Sequence, residues 1–224
     1  MSKRDFLALE SWSDQEIEAL LTLAARVKRG EVTGGLERKV LAMVFMDPSL
    51  RTRTSFETAM FLHGGHGVVL EPGKGSWSLE TRTGAVMDGD TVEHIVDAAR
   101  VLGRYSDAVG VRAFPRGREW SEAREDTILR SFARHCERPV INFESARRHP
   151  CQAPADAMTL CEKLGETSGK RFVLTWAWHG WRRADSKLIT GRSQCRAKLR
   201  MMVSSRASLH SRPRGNARTP TASA

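Results

Sequence analysis

The segment from Lys39 to Thr54 reads KVLAMVFMDPSLRTRT, and it changes from apolar to polar at a single point. Its first half, Lys39–Met46, is a short apolar run rich in β-forming residues, which is typical of a buried strand. Asp47, Pro48 and Ser49 then interrupt the run, and a helix is expected to follow. This order of strand, loop and helix predicts the first unit of an α/β domain.

Short apolar runs and helical patterns alternate on both sides of this segment. Towards the N-terminus, Ser13 and Glu16 have the spacing of a capping box, before a helix that Gly30 ends. Further strands are expected at Val68–Leu70, Ala108–Phe114, Val140–Phe143 and Arg171–Trp178. Further helices are expected from the polar loop to Gly64, from Asp90 or Thr91 to Tyr105, from Ser121 to Cys136, and from Pro154 to Gly165. The alternation predicts an α/β fold with a largely parallel sheet flanked by helices.

The net charge of +10 is confined to the C-terminal part of the chain. Residues 1–179 contain 25 basic and 25 acidic residues, so this part is neutral. Residues 180–224 contain nine arginines and two lysines against one acid, Asp185. They also lack strand or helix periodicity, so a disordered, basic Arg/Ser-rich tail is expected after a domain at 1–179. Binding to nucleic acid is therefore not expected except through this tail.

The cysteines and the apolar runs exclude several classes of protein. Cys136, Cys151, Cys161 and Cys195 lie far apart without a CxxC pair, so neither a disulfide framework nor a metal site is expected. No apolar run approaches the ~20 residues that span a bilayer, and the N-terminus lacks the pattern of a signal peptide. We therefore expect a cytoplasmic protein with reduced thiols and no membrane partner.

Polar groups follow two of the predicted strands, at the edge where parallel sheets bind ligands. In the segment Ser49–Thr54, the free amides of a helix start, two arginines and three hydroxyls suit a phosphate group. A polar helix cap with solvated arginines is the alternative. The second loop contains His149 and Gln152, and Arg112 lies inside the third strand, where it needs an anionic partner. The alternative for Arg112 is an edge arginine paired with an acidic side chain.

Together these loops resemble a known family. Ser49-Leu50-Arg51-Thr52-Arg53, within residues 45–57, resembles the carbamoyl-phosphate loop of the transcarbamylases, whose signature is Ser-x-Arg-Thr-Arg. His149-Pro150-Cys151-Gln152 is similar to their second motif, His-Pro-x-Gln. The segments similar to the N-acetylornithine carbamoyltransferase branch are Val68–Lys74, Val86–Thr91, Val101–Tyr105, Gly110–Pro115 and Phe172–Trp176. The resemblance extends over roughly residues 5–179 and identifies them as a carbamoyl-phosphate-binding domain.

The resemblance implies an enzyme that transfers the carbamoyl group of carbamoyl phosphate to the δ-amino group of N-acetylornithine. The product would be N-acetylcitrulline, in arginine biosynthesis, and no metal or organic cofactor is needed. The residues implied to bind carbamoyl phosphate are Ser49, Leu50, Arg51, Thr52, Trp77, Arg112, His149 and Gln152. In the family the matching tryptophan reaches into a neighbouring subunit of a homotrimer, and Glu144 matches a residue that contacts the acylornithine. Without the resemblance, the alternative interpretation of Trp77 is an exposed loop residue, and that of Glu144 is an ordinary solvated carboxylate.

One position departs from the pattern of the acetyl-preferring relatives. They carry a glutamate at the place of Val92, and a negative side chain there would repel the carboxylate of a succinyl group. Valine would not repel it. N-succinylornithine is therefore the alternative substrate.

The resemblance stops after His179. The relatives continue with a proline-rich hinge and a second α/β domain, whereas this chain reads Gly180-Trp181-Arg182-Arg183. We interpret the change as a truncation by a frameshift, with a genuine basic tail as the alternative. Three hypotheses follow: a transcarbamylase domain that is inactive without its second domain, a non-catalytic domain with a tail that binds nucleic acid, and a non-functional fragment.

Overall fold

A computed structural model describes residues 3–82, 84–114 and 124–167, together with the backbone of residues 171–173 and 202–204. Its helices are α1 (Asp14–Lys28), α2 (Arg51–Leu62), α3 (Ile95–Tyr105), α4 (Thr127–His135) and α5 (Gln152–Leu164). Its strands are β1 (Val40–Phe45), β2 (His66–Leu70), β3 (Leu79–Glu80), β4 (Glu93–His94), β5 (Ala108–Arg112), β6 (Val140–Glu144), β7 (Arg171–Val173) and β8 (Met202–Ser204). None of the helices in these residues is long and apolar enough to cross a membrane.

Four strands form the central sheet, in the order β2-β1-β5-β6, and every neighbouring pair is parallel. At the β6 edge, Phe6 adds an isolated parallel bridge to Ile141. All residues of β1 except the first are buried, as expected for a strand that has helices on both faces. The prediction of a parallel sheet flanked by helices is confirmed.

The two faces of β1 pack against different helices because successive side chains of a strand point to opposite sides. Ala42 and Val44 share one core with Ala99 of α3 and Phe132 of α4. On the other face, the core residues are Leu41, Met43, Phe45, Met60 of α2 and Phe143 of β6. A third cluster joins α1 to α5 through Ile17, Leu21, Ala153 and Ala157. The sheet is thus held between α2 on one face and α3 with α4 on the other.

Gly110 of β5 lies directly beneath the ring of Phe143. A Cβ atom added at Gly110 would lie 2.0 Å from Cζ of Phe143, and that ring is 0% exposed and cannot retreat. We expect Gly110→Ala to lower the free energy of unfolding by about 1–3 kcal/mol through overpacking, as measured by urea denaturation. Gly89→Ala is the control, because an added Cβ there meets nothing within 4 Å. Equal stability of the two variants would contradict this packing.

Several element ends were predicted correctly. Ser13 and Glu16 form the capping box of α1, with both hydrogen bonds present. After α2, Gly64 has the positive φ of a helix end, and Gly165 caps α5. These signals depend on residues next to each other in the sequence, so they can be read without the tertiary structure.

Three helix starts differ from the prediction. α3 begins at Ile95 rather than Asp90 or Thr91, because Nδ1 of His94 accepts the amide of Val96 and His94 itself is paired in β4. α4 begins at Thr127 rather than Ser121: Arg124–Asp126 are not helical, and residues 115–123 lie outside the described ones. α5 begins at Gln152, two residues before Pro154. Proline is tolerated there because the first amides of a helix have no acceptor within it.

The end of the chain also differs from the prediction. The expected strand Arg171–Trp178 is described only as β7, which pairs in parallel with β8 rather than with the central sheet. β8 was not predicted, because three residues are too few to establish a period. Residues 174–178 and the rest of the expected tail at 180–224 lie outside the described residues. The disordered tail therefore stays a prediction.

Candidate anion-binding site

The loops that follow β1 and β6 meet the last residue of β5 around one pocket of about 870 Å³. They meet because the carboxyl ends of parallel strands lie at the same edge of a sheet. The predicted site residues that line the pocket are Ser49, Leu50, Arg51, Thr52, Arg112, Glu144, His149 and Gln152. Seven further lining residues were not predicted, because their positions in the sequence indicated only helix packing or loop structure: Pro48, Ser55, Phe56, Cys151, Ala153, Ala155 and Asp156.

The N-terminus of α2 opens into this pocket. Oγ of Ser49 accepts the amide of Thr52 at 3.2 Å, whereas the cap residue Leu50 makes no side-chain capping bond. The first turn of α2 contains no acidic residue, so nothing there offsets the positive end of the helix dipole. Free amides and a positive potential favour an oxyanion at this place.

The two arginines of this turn have different surroundings. Arg51 lines the pocket, and no other side chain in the described part of the chain forms an ion pair or hydrogen bond with its guanidinium. Arg53 does not line the pocket: it donates to Glu57 and to Glu71, each at 3.3 Å. Of the two arginines expected to bind a phosphate, only Arg51 therefore lies in the pocket. Arg53 instead connects α2 to Glu71, the residue that follows β2.

Arg112 and Glu144 form an ion pair in the wall of the pocket. They lie opposite each other at the ends of β5 and β6, with side chains 13% and 19% exposed. Nε of Arg112 also donates to the carbonyl of Pro48 at 3.3 Å, and the guanidinium lies over the ring of Phe114. Arg112 thus has the acidic partner that was its alternative interpretation and still lines the pocket. Glu144 is a half-buried ion-pair partner rather than a solvated carboxylate.

His149 lines the pocket from the loop between β6 and α5, and Gln152 lines it as the first residue of α5. The carbonyl of His149 accepts the amides of Gln152 and Ala153, at 3.0 and 3.4 Å, and this begins α5. Nε2 of Gln152 donates to Asp156 at 3.0 Å. Between them, Cys151 is partly buried, and desolvation raises the pKa of its thiol to about 12. Cys151 is therefore a protonated thiol at neutral pH rather than a nucleophilic thiolate.

Two predicted site residues lie outside this pocket. Trp77 is 56% exposed, its indole donates to Glu93 at 2.8 Å, and it borders a separate groove of about 160 Å³. Val92 is 73% exposed, just before β4. The contact of Trp77 with a neighbouring subunit stays a prediction. The described residues contain no group of three or more His, Cys, Asp or Glu side chains that could hold a metal ion.

Comparison with known proteins gives consistent matches. Residues 4–162 match the family described as aspartate/ornithine carbamoyltransferase, carbamoyl-P binding domain. The N-acetylornithine carbamoyltransferase of Xanthomonas campestris pv. campestris is 52% identical over 181 residues, which are 80% of this chain and 53% of that protein. The chain therefore spans about half the length of the curated relatives it matches.

Two solved structures are similar at the level of the fold. An acetylornithine transcarbamylase complexed with acetylcitrulline matches with a TM-score of 0.75 and 52% identity, over 79% of this chain and 53% of that chain. A glutamate-to-valine mutant of N-acetyl-L-ornithine transcarbamylase, complexed with carbamyl phosphate and N-succinyl-L-norvaline, matches with a TM-score of 0.75 and 53% identity, over the same shares.

Proposed function

Because the chain belongs to the aspartate/ornithine carbamoyltransferase family, through the domain that binds carbamoyl phosphate, we propose that its pocket binds this substrate. The reaction that this binding serves is transfer of the carbamoyl group to the δ-amino group of an N-acylornithine. The observation that carries the proposal is the convergence of Arg51, His149 and Gln152 on one pocket at the N-terminus of α2. A pocket lined in this way fits a small ligand with a phosphate at one end and an amide at the other.

The phosphate end is assigned to α2. Amides at the helix start, the hydroxyls of Ser49 and Thr52 and the guanidinium of Arg51 are the donors that phosphate oxygens accept from. Leu50 contributes through its backbone, since its side chain is 81% exposed. These groups also hold the phosphate, which departs with the electrons of the broken C–O bond and takes up the proton that the attacking amine loses.

The carbamoyl end is assigned to the opposite wall. When the amine attacks, a C–N bond forms and negative charge develops on the carbonyl oxygen. Arg112 and His149 stabilise that charge, because fixed donors in a partly buried site are strong where charge appears in the transition state. Gln152 holds the carbamoyl amide, and Glu144 contributes to binding of the amino substrate.

The preferred amino substrate is N-acetylornithine, because a relative named N-acetylornithine carbamoyltransferase is 52% identical. The product is then N-acetylcitrulline, in arginine biosynthesis. The proposal extends to a cytoplasmic homotrimer in which Trp77 reaches a neighbouring site. This assembly is consistent with the exposure of Trp77 and its position away from the chain's own pocket.

N-succinylornithine is the second candidate, and Val92 favours it. The exposed valine is uncharged, and the similar mutant structure with a glutamate-to-valine change was solved with N-succinyl-L-norvaline. We expect Val92→Glu to weaken the binding of N-succinyl-L-norvaline roughly fivefold in the presence of a carbamoyl-phosphate analogue, through charge repulsion. Val92→Gln is the uncharged control, and N-acetylnorvaline should bind all three proteins alike. Unchanged affinity for the succinyl compound in Val92→Glu would remove Val92 from acyl selection.

Calorimetry with two anions tests the proposed ligand. Phosphonoacetamide has both the phosphate-like and the amide end of carbamoyl phosphate, whereas inorganic phosphate has only the first. The chain should bind phosphonoacetamide roughly tenfold more tightly, since the amide end adds one or two hydrogen bonds of about 1 kcal/mol each. Gln152→Ala should reduce this preference and leave the affinity for phosphate unchanged. Equal affinity of the wild type for both anions would identify a phosphate site unrelated to carbamoyl transfer.

A further inference from the structure

Asp126 lies outside the pocket, yet its side chain contacts the loop that carries two pocket residues. Oδ2 of Asp126 accepts the hydroxyl of Ser145 at 2.8 Å, and Oδ1 accepts the amide of Ala146 at 3.0 Å. Ser145 and Ala146 come directly after Glu144, and the turn that they begin leads to His149. The carboxylate therefore holds the first two residues of the turn that connects Glu144 to His149.

The turn itself is short and closed. The amide of Ser145 donates to the carbonyl of Arg148 at 2.9 Å, so residues 145–148 form one hydrogen-bonded unit. Ser145 is 1% exposed, and its hydroxyl also accepts Nδ2 of Asn142 at 3.2 Å. That amide nitrogen donates in addition to the carbonyl of Leu7 at 3.0 Å. Asp126 thus ends a buried chain of hydrogen bonds that runs from the N-terminal segment through β6 to α4.

The conformation of Asp126 is unusual for its place in the fold. Asp126 occupies the N-cap position of α4, but its side chain makes no capping bond to that helix. An aspartate at an N-cap ordinarily accepts an amide of its own first turn. Its backbone also lies in the left-handed region, at φ 49° and ψ 44°, which few residues other than glycine, asparagine and aspartate adopt. Such a conformation persists where the surrounding contacts require it.

The carboxylate is also partly withdrawn from water. Burial raises the pKa of Asp126 from its ordinary value, and the bonds from Ser145 and Ala146 act in the opposite direction, as do the charges of Arg148 and Arg147. Desolvation of a carboxylate is unfavourable unless hydrogen bonds compensate for it. Both compensating bonds come from the loop that leads to His149.

We propose that Asp126 is a positioning residue that holds the turn at residues 145–148 and thereby sets Glu144 and His149 in the pocket. The inference rests on the proposed function, because it assigns Asp126 to the end of the pocket that takes the carbamoyl group. The phosphate end is built separately, on α2, and Asp126 makes none of its contacts in the described residues.

Three substitutions separate the roles of the carboxylate and the backbone. Asp126→Gly removes both hydrogen bonds but adopts the left-handed conformation without strain. Asp126→Asn retains an oxygen for the amide of Ala146 and also tolerates this conformation. Ser145→Ala removes only the hydroxyl bridge, and it serves as the second test if Asp126→Gly does not fold.

The test is calorimetry of the full 224-residue chain with phosphonoacetamide and with inorganic phosphate. We expect Asp126→Gly to bind phosphonoacetamide about tenfold more weakly and Ser145→Ala about threefold more weakly. Both should bind phosphate within twofold of the wild type. Asp126→Asn should restore the affinity for phosphonoacetamide to within twofold. General destabilisation of the fold would instead lower the affinities for phosphonoacetamide and for phosphate by the same factor.

The outcomes distinguish this inference from the proposed function. If the wild type prefers phosphonoacetamide and Asp126→Gly retains that preference, the positioning role is wrong and the proposed function stands. If all variants lose affinity for phosphonoacetamide and for phosphate to the same extent, Asp126 is merely structural and the inference is also overturned. If the wild type shows no preference for phosphonoacetamide, the proposed function itself fails.

Discussion

Incubated with carbamoyl phosphate and N-acetylornithine, a polypeptide of these 224 residues is expected to form no measurable N-acetylcitrulline. The chain matches the carbamoyl-phosphate binding domain and spans about half of its relatives. Its pocket provides groups for the phosphate and carbamoyl ends, but transfer also needs the amine about 3–3.5 Å from the carbamoyl carbon and aligned with it. Loss of this orientation forfeits roughly 7–11 kcal/mol of barrier lowering, which corresponds to about five to eight powers of ten in rate.

The assay detects acylcitrulline by mass spectrometry, with both acylornithines supplied. The N-acetylornithine carbamoyltransferase of Xanthomonas campestris pv. campestris, as the full-length relative, is the positive control under the same conditions. Exclusion of water from the developing charge also depends on a surface that closes over the pocket. Turnover by this chain within a few powers of ten of the relative would show that residues outside the described ones complete the site.

Replacement of Arg51 by alanine should weaken the binding of phosphonoacetamide by about 10- to 150-fold. Removing one charge-assisted contact to a phosphonate corresponds to roughly 1.5–3 kcal/mol. Arg51 lines the pocket, and in the described part of the chain its guanidinium is not engaged by another side chain. The affinity for inorganic phosphate should fall by a similar factor, because Arg51 is assigned to the phosphate end.

Arg53→Ala is the matched control for Arg51→Ala. It removes an arginine from the same turn of α2, but one that is bound to Glu57 and Glu71 and lies outside the pocket. We expect its affinity for phosphonoacetamide to stay within about twofold of the wild type. Its free energy of unfolding should fall by at most about 1 kcal/mol, because the two ion pairs that it loses are exposed. Equal losses of affinity in both variants would mean that net charge, and not the position of Arg51, determines binding.

The parts of the fold that follow from local patterns could be predicted from the sequence. The apolar run of β1, the break at Asp47-Pro48 and the start of α2 are fixed by neighbouring residues, and so is the capping box of α1. The position of the pocket also followed, because loops after parallel strands meet at one edge of the sheet. His149 and Arg51 therefore line the same pocket although they are far apart in the sequence.

The remaining features depend on contacts between distant segments. Arg51 and Arg53 look alike in the sequence, and only the position of Glu71 beside α2 separates their roles. The pairing of Arg112 with Glu144 depends on the register of β5 and β6, which no local pattern specifies. The N-cap residue of α4, Asp126, has its side chain bonded to the turn after β6 rather than to its own helix. Such contacts cannot be read from propensity, because tertiary interactions override it.

A crystal structure of this chain with phosphonoacetamide would locate both ends of the ligand and so test the assignment of the pocket. We expect the phosphonate at the N-terminus of α2, within hydrogen-bonding distance of Arg51 and the hydroxyl of Thr52. The carboxamide should lie against His149 and Gln152. A phosphonate bound elsewhere, with the α2 end of the pocket empty, would contradict the assignment of this pocket to carbamoyl phosphate.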